Sequence, residues 1–291
     1  MSSDENDPAD AFAALGDPVR VGILEALAEQ DHTDTSTSPE VGFADLRRRV
    51  GVRDSGRFRY HLEQLRDIFV TQAEDGQYRL TYAGTQVVTA IVAGVYTQRV
   101  SIGPTDIDST CGHCGTNAVG SFEDGVLEVI CEKKHPLFYW TLPPNAARGV
   151  TIKELIRAAT FDFRWTIELV QAGICPDCYA PIETAVLPTA DDGYGQSYRL
   201  RAHCEACKST LDGPIGACLM NNPTVVSFYQ DHDRALRDEY WWDLEFVAAD
   251  APIDHRTDPF RLDVSVRVDD EVLIATIDDN GHVTSTNIRT K

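Results

Sequence analysis

Lysine is scarce in this chain: Lys133, Lys134, Lys153, Lys208 and Lys291 are the only five among 291 residues, set against 46 Asp and Glu. The rest of the 26 Lys and Arg are Arg, and the net charge is −20 with His neutral. Acidic excess with Arg preferred over Lys suits a surface solvated in concentrated salt, where the Debye length near 1 M is about 3 Å and acid–acid repulsion is screened. The balance points to a halophile, and among halophiles to an archaeon. Long apolar runs are missing too. The most apolar stretch, Val87 to Tyr96, is ten residues and contains Gly94, short of the roughly 18 a membrane-crossing helix needs. The opening MSSDENDPAD lacks the basic and apolar regions of a secretory signal, so a cytoplasmic protein with no membrane partner is expected. HExxH, GxSxG and a phosphate-binding Gly loop with its Lys are also absent, and nothing indicates an enzyme.

At this length two or three domains are expected. Between Phe43 and Asp67 stand Arg47, Arg48, Arg49, Arg53, Arg57, Arg59 and Arg66 against Asp45, Asp54, Glu63 and Asp67. This basic island in an acidic chain implies contact with an anionic polymer, duplex DNA first. Asp17-Pro18 supplies an N-cap and a first-turn proline, and Val19, Ile23, Leu24 and Leu27 continue at helical spacing to about Glu29. Residues 31–40 read as a Thr/Ser/Asp linker. Phe43 to Val50 forms a second helix that Gly51 ends. A third starts at Asp54 or Ser55 and runs to about Arg66, with Phe58, Leu62, Leu65 and Phe69 on one stripe. Arg53, Arg57, Tyr60 and Gln64 fall on the opposite face. Glu74-Asp75-Gly76 is the turn of a hairpin. Helix, helix, helix, hairpin is the order of a winged helix-turn-helix. Thr81 to Gln98 reads as a helix that packs in its own domain, dimerises, or does both.

Ala14 to Leu24 (ALGDPVRVGIL), Tyr60 to Leu65 (YHLEQL), Phe69-Val70 and the segment from Tyr78 to Gly84 resemble the ArsR-like winged-helix regulators, in particular halophile proteins with appended cysteine-rich modules. The resemblance covers about residues 10–98 and continues more loosely to the C-terminus. It implies a dimeric transcription regulator whose third helix, about 54–66, enters the major groove while the wing follows the backbone. Arg53, Ser55, Arg57, Arg59, Tyr60 and Gln64 then serve bases and phosphates, and Arg47, Arg48, Arg49, Gln77 and Arg79 mainly phosphates. The family's metal sensors carry paired cysteines near the recognition helix. This chain has no Cys before position 111, so sensing through that site is unsupported.

Cys175-x-x-Cys178 and Cys204-x-x-Cys207 flank a hairpin pattern, the spacing with which a zinc ribbon closes four thiolates around one tetrahedral ion. Cys111, Cys114 and Cys131 form a second set in which Lys134 stands where a fourth Cys is due. His135 beside it can complete a Cys₃His site, so a second zinc stays open. CGHC is also a disulfide-isomerase quartet, but here it is followed by a strand pattern, whereas that chemistry needs a helix N-terminus. Cys218 reads as a packing residue. Thr151 to Ala172 is one amphipathic helix, Pro223 to Tyr229 a short one. Phe260–Val268, Val272–Asp278 and His282–Thr286 form a meander turning at Asp278-Asp279-Asn280-Gly281.

The expected fold is α+β: a disordered acidic leader (1–9), a winged helix-turn-helix with its following helix (10–100), an incomplete zinc-ribbon-like module (105–147), a helix with a second ribbon (148–220) and a C-terminal segment with a β-meander (221–291). The expected function is sequence-specific transcription regulation as a homodimer on double-stranded DNA. The alternative is an accessory or general transcription factor whose ribbon contacts the transcription machinery.

Overall fold

Two Asp-Pro steps open the chain. Asp7 accepts from the Ala9 amide at 2.8 Å and Pro8 begins α1 (Pro8–Ala14). Asp17 accepts from Val19 at 2.8 Å and Pro18 begins α2 (Pro18–Ala28). Proline fits there because that position has no intrahelical N–H bond to lose and its φ is preset. Helix α1 corrects the expectation of a disordered leader through residue 9, since Asp7-Pro8 carries the same start signal as Asp17-Pro18. The structure, a computed structural model, describes residues 7–29, 41–189, 198–248 and 251–290. The leader's residues 1–6 and the linker at 31–40 lie outside the described residues.

α3 (Phe43–Val50) ends on Gly51, whose φ of 74° makes a left-handed C-cap. α4 (Ser55–Leu65) is capped by Asp54, which accepts from the Arg57 amide at 2.6 Å. β1 (Val70–Gln72) and β2 (Tyr78–Leu80) pair as a hairpin with Val70 opposite Leu80. Val41 adds a bridge to Tyr78. α5 (Tyr82–Val92) is capped by Thr81, whose hydroxyl also donates to the Ile68 carbonyl at 2.7 Å. The helix gives way at Gly94, φ 78°, short of the expected Gln98. Ile23, Leu24, Leu27, Leu46, Phe58, Leu62, Leu65 and Val70 form the core of this first unit, residues 1–98.

Residues 99–291 form a second unit. β3 (Ile102–Thr110), β4 (Asn117–Glu123), β5 (Val126–Cys131) and β6 (Pro136–Thr141) make one antiparallel sheet in chain order. α6 (Ile152–Gln171) begins with a reciprocal capping box between Thr151 and Glu154. It packs so closely on β4 that a Cβ on Gly120 would stand 2.8 Å from Ile152 Cγ1. β7 (Glu183–Pro188), β8 (Tyr198–His203) and β9 (Thr210–Pro214) form a three-stranded antiparallel sheet. A 3-10 turn at Ile215–Leu219 buries Cys218, and α7 (Pro223–Gln230) follows. β10 (Ile253–Thr257), β11 (Phe260–Val268), β12 (Glu271–Ile277) and β13 (Val283–Thr290) complete a four-stranded meander. The stretches read as 105–147, 148–220 and 221–291 share one core, running from Phe122 and Leu127 through Leu155 and Phe163 to Leu200, Phe228, Leu262 and Ile277.

Polar bonds tie these pieces at their seams. Gln171 Nε2 donates to the carbonyls of Cys218 and Gly281, and Val186 N donates to the Asp279 carbonyl at 2.8 Å. The Asp278–Gly281 turn is thus docked on α6 and β7, and Asp278 Oδ1 is occupied by the amides of Asn280 and His282. The fold is α+β with antiparallel sheets. No helix among the described residues is long and apolar enough to cross a membrane.

Candidate functional site

Three of the four ligand-bearing turns share one backbone design. The Cys111 amide donates to the Thr116 carbonyl and the Gly115 amide returns to the Cys111 carbonyl, with Gly115 at φ 70°. At Cys175 the same pair of bonds joins Ala180 and Tyr179, the latter at φ 60°. At Cys204 it joins Ser209 and Lys208, at φ 63°. Each turn thereby aims two Sγ atoms to one side. The fourth is one residue tighter: Cys131 N donates to the His135 carbonyl, Lys134 N donates to the Cys131 carbonyl, and Lys134 takes φ 66°. Shortening the turn moves Lys134 out of the ligand position and brings His135 in.

The result is two clusters, Cys111–Cys114–Cys131–His135 and Cys175–Cys178–Cys204–Cys207, each with all four ligand atoms within 4.8 Å of one another. Either could hold a metal ion. The spacings are those of a tetrahedron: with metal–sulfur bonds near 2.3 Å the sulfur–sulfur edge is about 3.8 Å. Cys175 Sγ to Cys207 Sγ and Cys178 Sγ to Cys204 Sγ are both 3.6 Å, and Cys114 Sγ to Cys131 Sγ is 3.7 Å. His135 Nδ1 lies 3.6 Å from Cys111 Sγ and 3.4 Å from Cys131 Sγ. The His113 ring meets the His135 ring edge to face at 4.6 Å, so His113 flanks the site without joining it. All eight cysteines are free thiols.

Protonation is divided unevenly within each cluster. Thr116, through its hydroxyl and its amide, lowers the Cys114 thiol to about 7. The Cys207 amide lowers Cys204 to about 7. Cys207 itself is pushed up to about 12: the Ser209 amide favours its thiolate, but burial and the neighbouring thiols outweigh that. A cluster in which the first thiolates oppose the next is one that a divalent cation would relieve. Cys218 stands apart, fully buried, its thiol raised to about 12 by desolvation.

In the first unit the arginine island is spread over α3, the following loop and α4. Phe58, His61, Leu62 and Leu65 are buried on one side of α4. Arg53, Ser55, Arg57, Arg59, Tyr60 and Gln64 are all exposed, Tyr60 at 61%. Several arginines are already engaged. Arg47 donates to the Arg53 carbonyl, Arg48 pairs with Asp45, and Arg59 lies over the Phe43 ring at 5.2 Å. Arg49 is exposed near the end of α3. In the hairpin, Gln77 Nε2 donates to Asp75 at 2.9 Å, and Arg79 is exposed opposite Thr71.

Residues 108–283 match the family model described as Domain of unknown function (DUF7351). That match spans more than half of the chain. The chain belongs to the DUF7351 family. Residues 8–91 match a second model, Domain of unknown function (DUF7347). No curated protein and no solved structure matches.

The DUF7351 segment contains both clusters, α6 and most of the meander, so the family coincides with the region that could hold metal. The sequence did not disclose the role of Thr116, whose only signal is its place two residues after a ligand. It also did not disclose that positive φ recurs after each ligand turn, because Tyr179, Lys134 and Lys208 are not residue types that announce it.

Proposed function

We propose that this chain is a DNA-binding transcription regulator, with residues 10–98 acting as a winged helix-turn-helix, α4 as its recognition helix and the β1–β2 hairpin as its wing. The observation that carries the reading is the division of α4: a fully buried stripe at Phe58, Leu62 and Leu65 against a solvent face holding Arg57, Tyr60 and Gln64, with Arg53 just before it. A helix seated by one face and arginine-rich on the other can enter the major groove, where Arg pairs with guanine. Homodimerisation is supported by α5 and the turn after it, which leave Tyr82, Val92, Val95 and Tyr96 at 75%, 61%, 49% and 68% exposure. Such a patch is better covered by a second copy than left to water. Zinc is the ion we assign to both clusters, because three or four sulfurs with tetrahedral spacing favour it over oxygen-seeking metals. Sites with four protein ligands are closed, so their role is to hold the DUF7351 unit together, and catalysis forms no part of the proposal.

The experiment is binding of the full chain to duplex from its own promoter region at cellular potassium concentration. Arg57→Ala should weaken specific binding by about 1–3 kcal/mol, while Arg48→Ala, whose guanidinium is tied to Asp45, should cost less. Equal affinity for wild type and Arg57→Ala would remove α4 from recognition. Occupancy at most active promoters, in place of a few, would replace the regulator with a general accessory factor.

A further inference from the structure

The solvent face of α6 is apolar at its centre and charged at its ends. Of the four tryptophans only Trp165 is exposed, at 56%, and Phe161, one turn before it, is 48% exposed. Both lie on the side of the helix away from Leu155, Ala159 and Phe163, which seat it on the core of the second unit. The Phe161 ring meets the Arg157 guanidinium at 5.6 Å. The Trp165 side chain has no ring contact and no hydrogen bond among the described residues. Neither the metal clusters nor the DNA reading uses this face.

The charges follow a matching order. Arg157 lies one turn before Phe161 and Glu168 about one turn after Trp165; both are exposed, and neither has an ion-pair partner among the described residues. At 1.5 Å per residue they stand about 16 Å apart along α6, too far to meet within one chain. Along the face the order is cation, ring, ring, anion, which complements itself when reversed. Consider two α6 helices antiparallel, crossing near residues 162–163 at a shallow angle of about 20°. Arg157 then comes level with the partner's Glu168 and Phe161 with the partner's Trp165, each contact occurring twice, as a two-fold interface requires. Glu154, already bonded to Thr151 in the capping box, comes level with the uncharged Gln171 of the partner. Two copies of a chain at −20 repel except where their charges cancel locally, and this face provides that cancellation around an exposed aromatic pair.

We infer that the outer face of α6 is an interface between two copies of this chain, an antiparallel helix pair closed by Phe161–Trp165 ring contacts and Arg157–Glu168 ion pairs. The contact rests on α6 alone and is separate from association through α5. It is measured on the full chain with and without Val92→Asp, which places a charge in the exposed α5 patch. Sedimentation equilibrium, at the lowest potassium concentration that keeps the chain folded, leaves the ion pairs least screened. Phe161→Ser combined with Trp165→Ser should weaken association about tenfold or more, with the unfolding midpoint close to wild type. Arg157→Glu alone and Glu168→Arg alone should each weaken it about 3–10-fold, and the two together should restore it. Restoration between positions that cannot meet within one chain requires contact between copies. A photo-reactive benzoylphenylalanine at position 161 should cross-link to residues 161–168 of a second copy. If Val92→Asp changes nothing while the α6 variants still act, dimerisation through α5 fails and this interface stands. Absence of cross-links between copies overturns the inference, as does charge reversal without restoration, or a Val92→Asp chain that stays monomeric at every concentration. Cross-links from position 161 to residues 7–98 of the same chain would give the face to the first unit and overturn it as well.

Discussion

His135 reaches its cluster because the turn from Cys131 is one residue shorter than the other three, and that difference converts a Cys₄ pattern into Cys₃His. The ligand types and spacings could be read along the chain, but the shorter turn could not. It depends on Lys134 accepting φ 66°, a conformation that its side chain does not advertise. If both clusters hold zinc, metal analysis should give two per chain, and His135→Ala should leave one, with the Cys175–Cys207 site still filled. Acidity supplies a second check. The ligand is the thiolate, and Cys114 and Cys204 have thiols near 7, so below that pH the incoming ion must displace their protons as well. Cys207, raised to about 12, surrenders a proton at every physiological pH. Apparent zinc affinity should therefore climb with pH, more steeply below about 7 than above it, and chelator competition at pH 6, 7 and 8 would measure the change in slope. A slope that does not change across 7 would show that Cys114 and Cys204 do not titrate there in the metal-free protein.

Among the elements, α6 was the most legible, because a capping pair and an unbroken apolar period agree on its limits. Thr151 and Glu154 hold each other's backbone at its start, with Thr151 N 2.7 Å from Glu154 Oε2. Thr151→Ala should cost about 1 kcal/mol in thermal unfolding of the second unit. β3, β9 and β10 were not legible, since an edge strand such as β3, exposed along most of its length, has little apolar alternation to read. Close approach is similarly silent in sequence. Gly84 sits in the first turn of α5 where a Cβ would fall 2.1 Å from the Phe69 carbonyl oxygen, so α5 can lie against the hairpin's root only because that residue has no side chain. Gly84→Ala should displace α5 and cost the first unit about 1–3 kcal/mol, while the unfolding of residues 99–291 stays unchanged. Two separable transitions, of which only one moves, would be the signature in a calorimetric scan. If both moved together, the independence of the two units would be wrong.

At the scale of the molecule, composition was readable and connectivity was not. The charge balance is a property of counts, whereas the single core that joins three apparent modules depends on which apolar faces meet in space. That core must hold against the repulsion of a chain at −20. At 0.1 M salt, where the Debye length is about 10 Å, neighbouring surface carboxylates repel; at 1 M it is about 3 Å and they are screened. Raising potassium chloride from 0.1 to 2 M should therefore raise the unfolding midpoint, with most of the gain below 1 M because screening is nearly complete there. Sucrose at matched osmolality controls for general exclusion from the surface and should reproduce little of the effect. A midpoint that ignores salt, or rises linearly to 2 M, would show that screening of these carboxylates is not what stabilises the chain. The same salt weakens any contact to DNA that relies on released counterions. If α4 does bind DNA under the conditions in which the protein is most stable, the affinity must come from the fit of Arg57 and its neighbours to base edges, and the Arg57→Ala deficit should persist at high potassium while non-specific binding disappears.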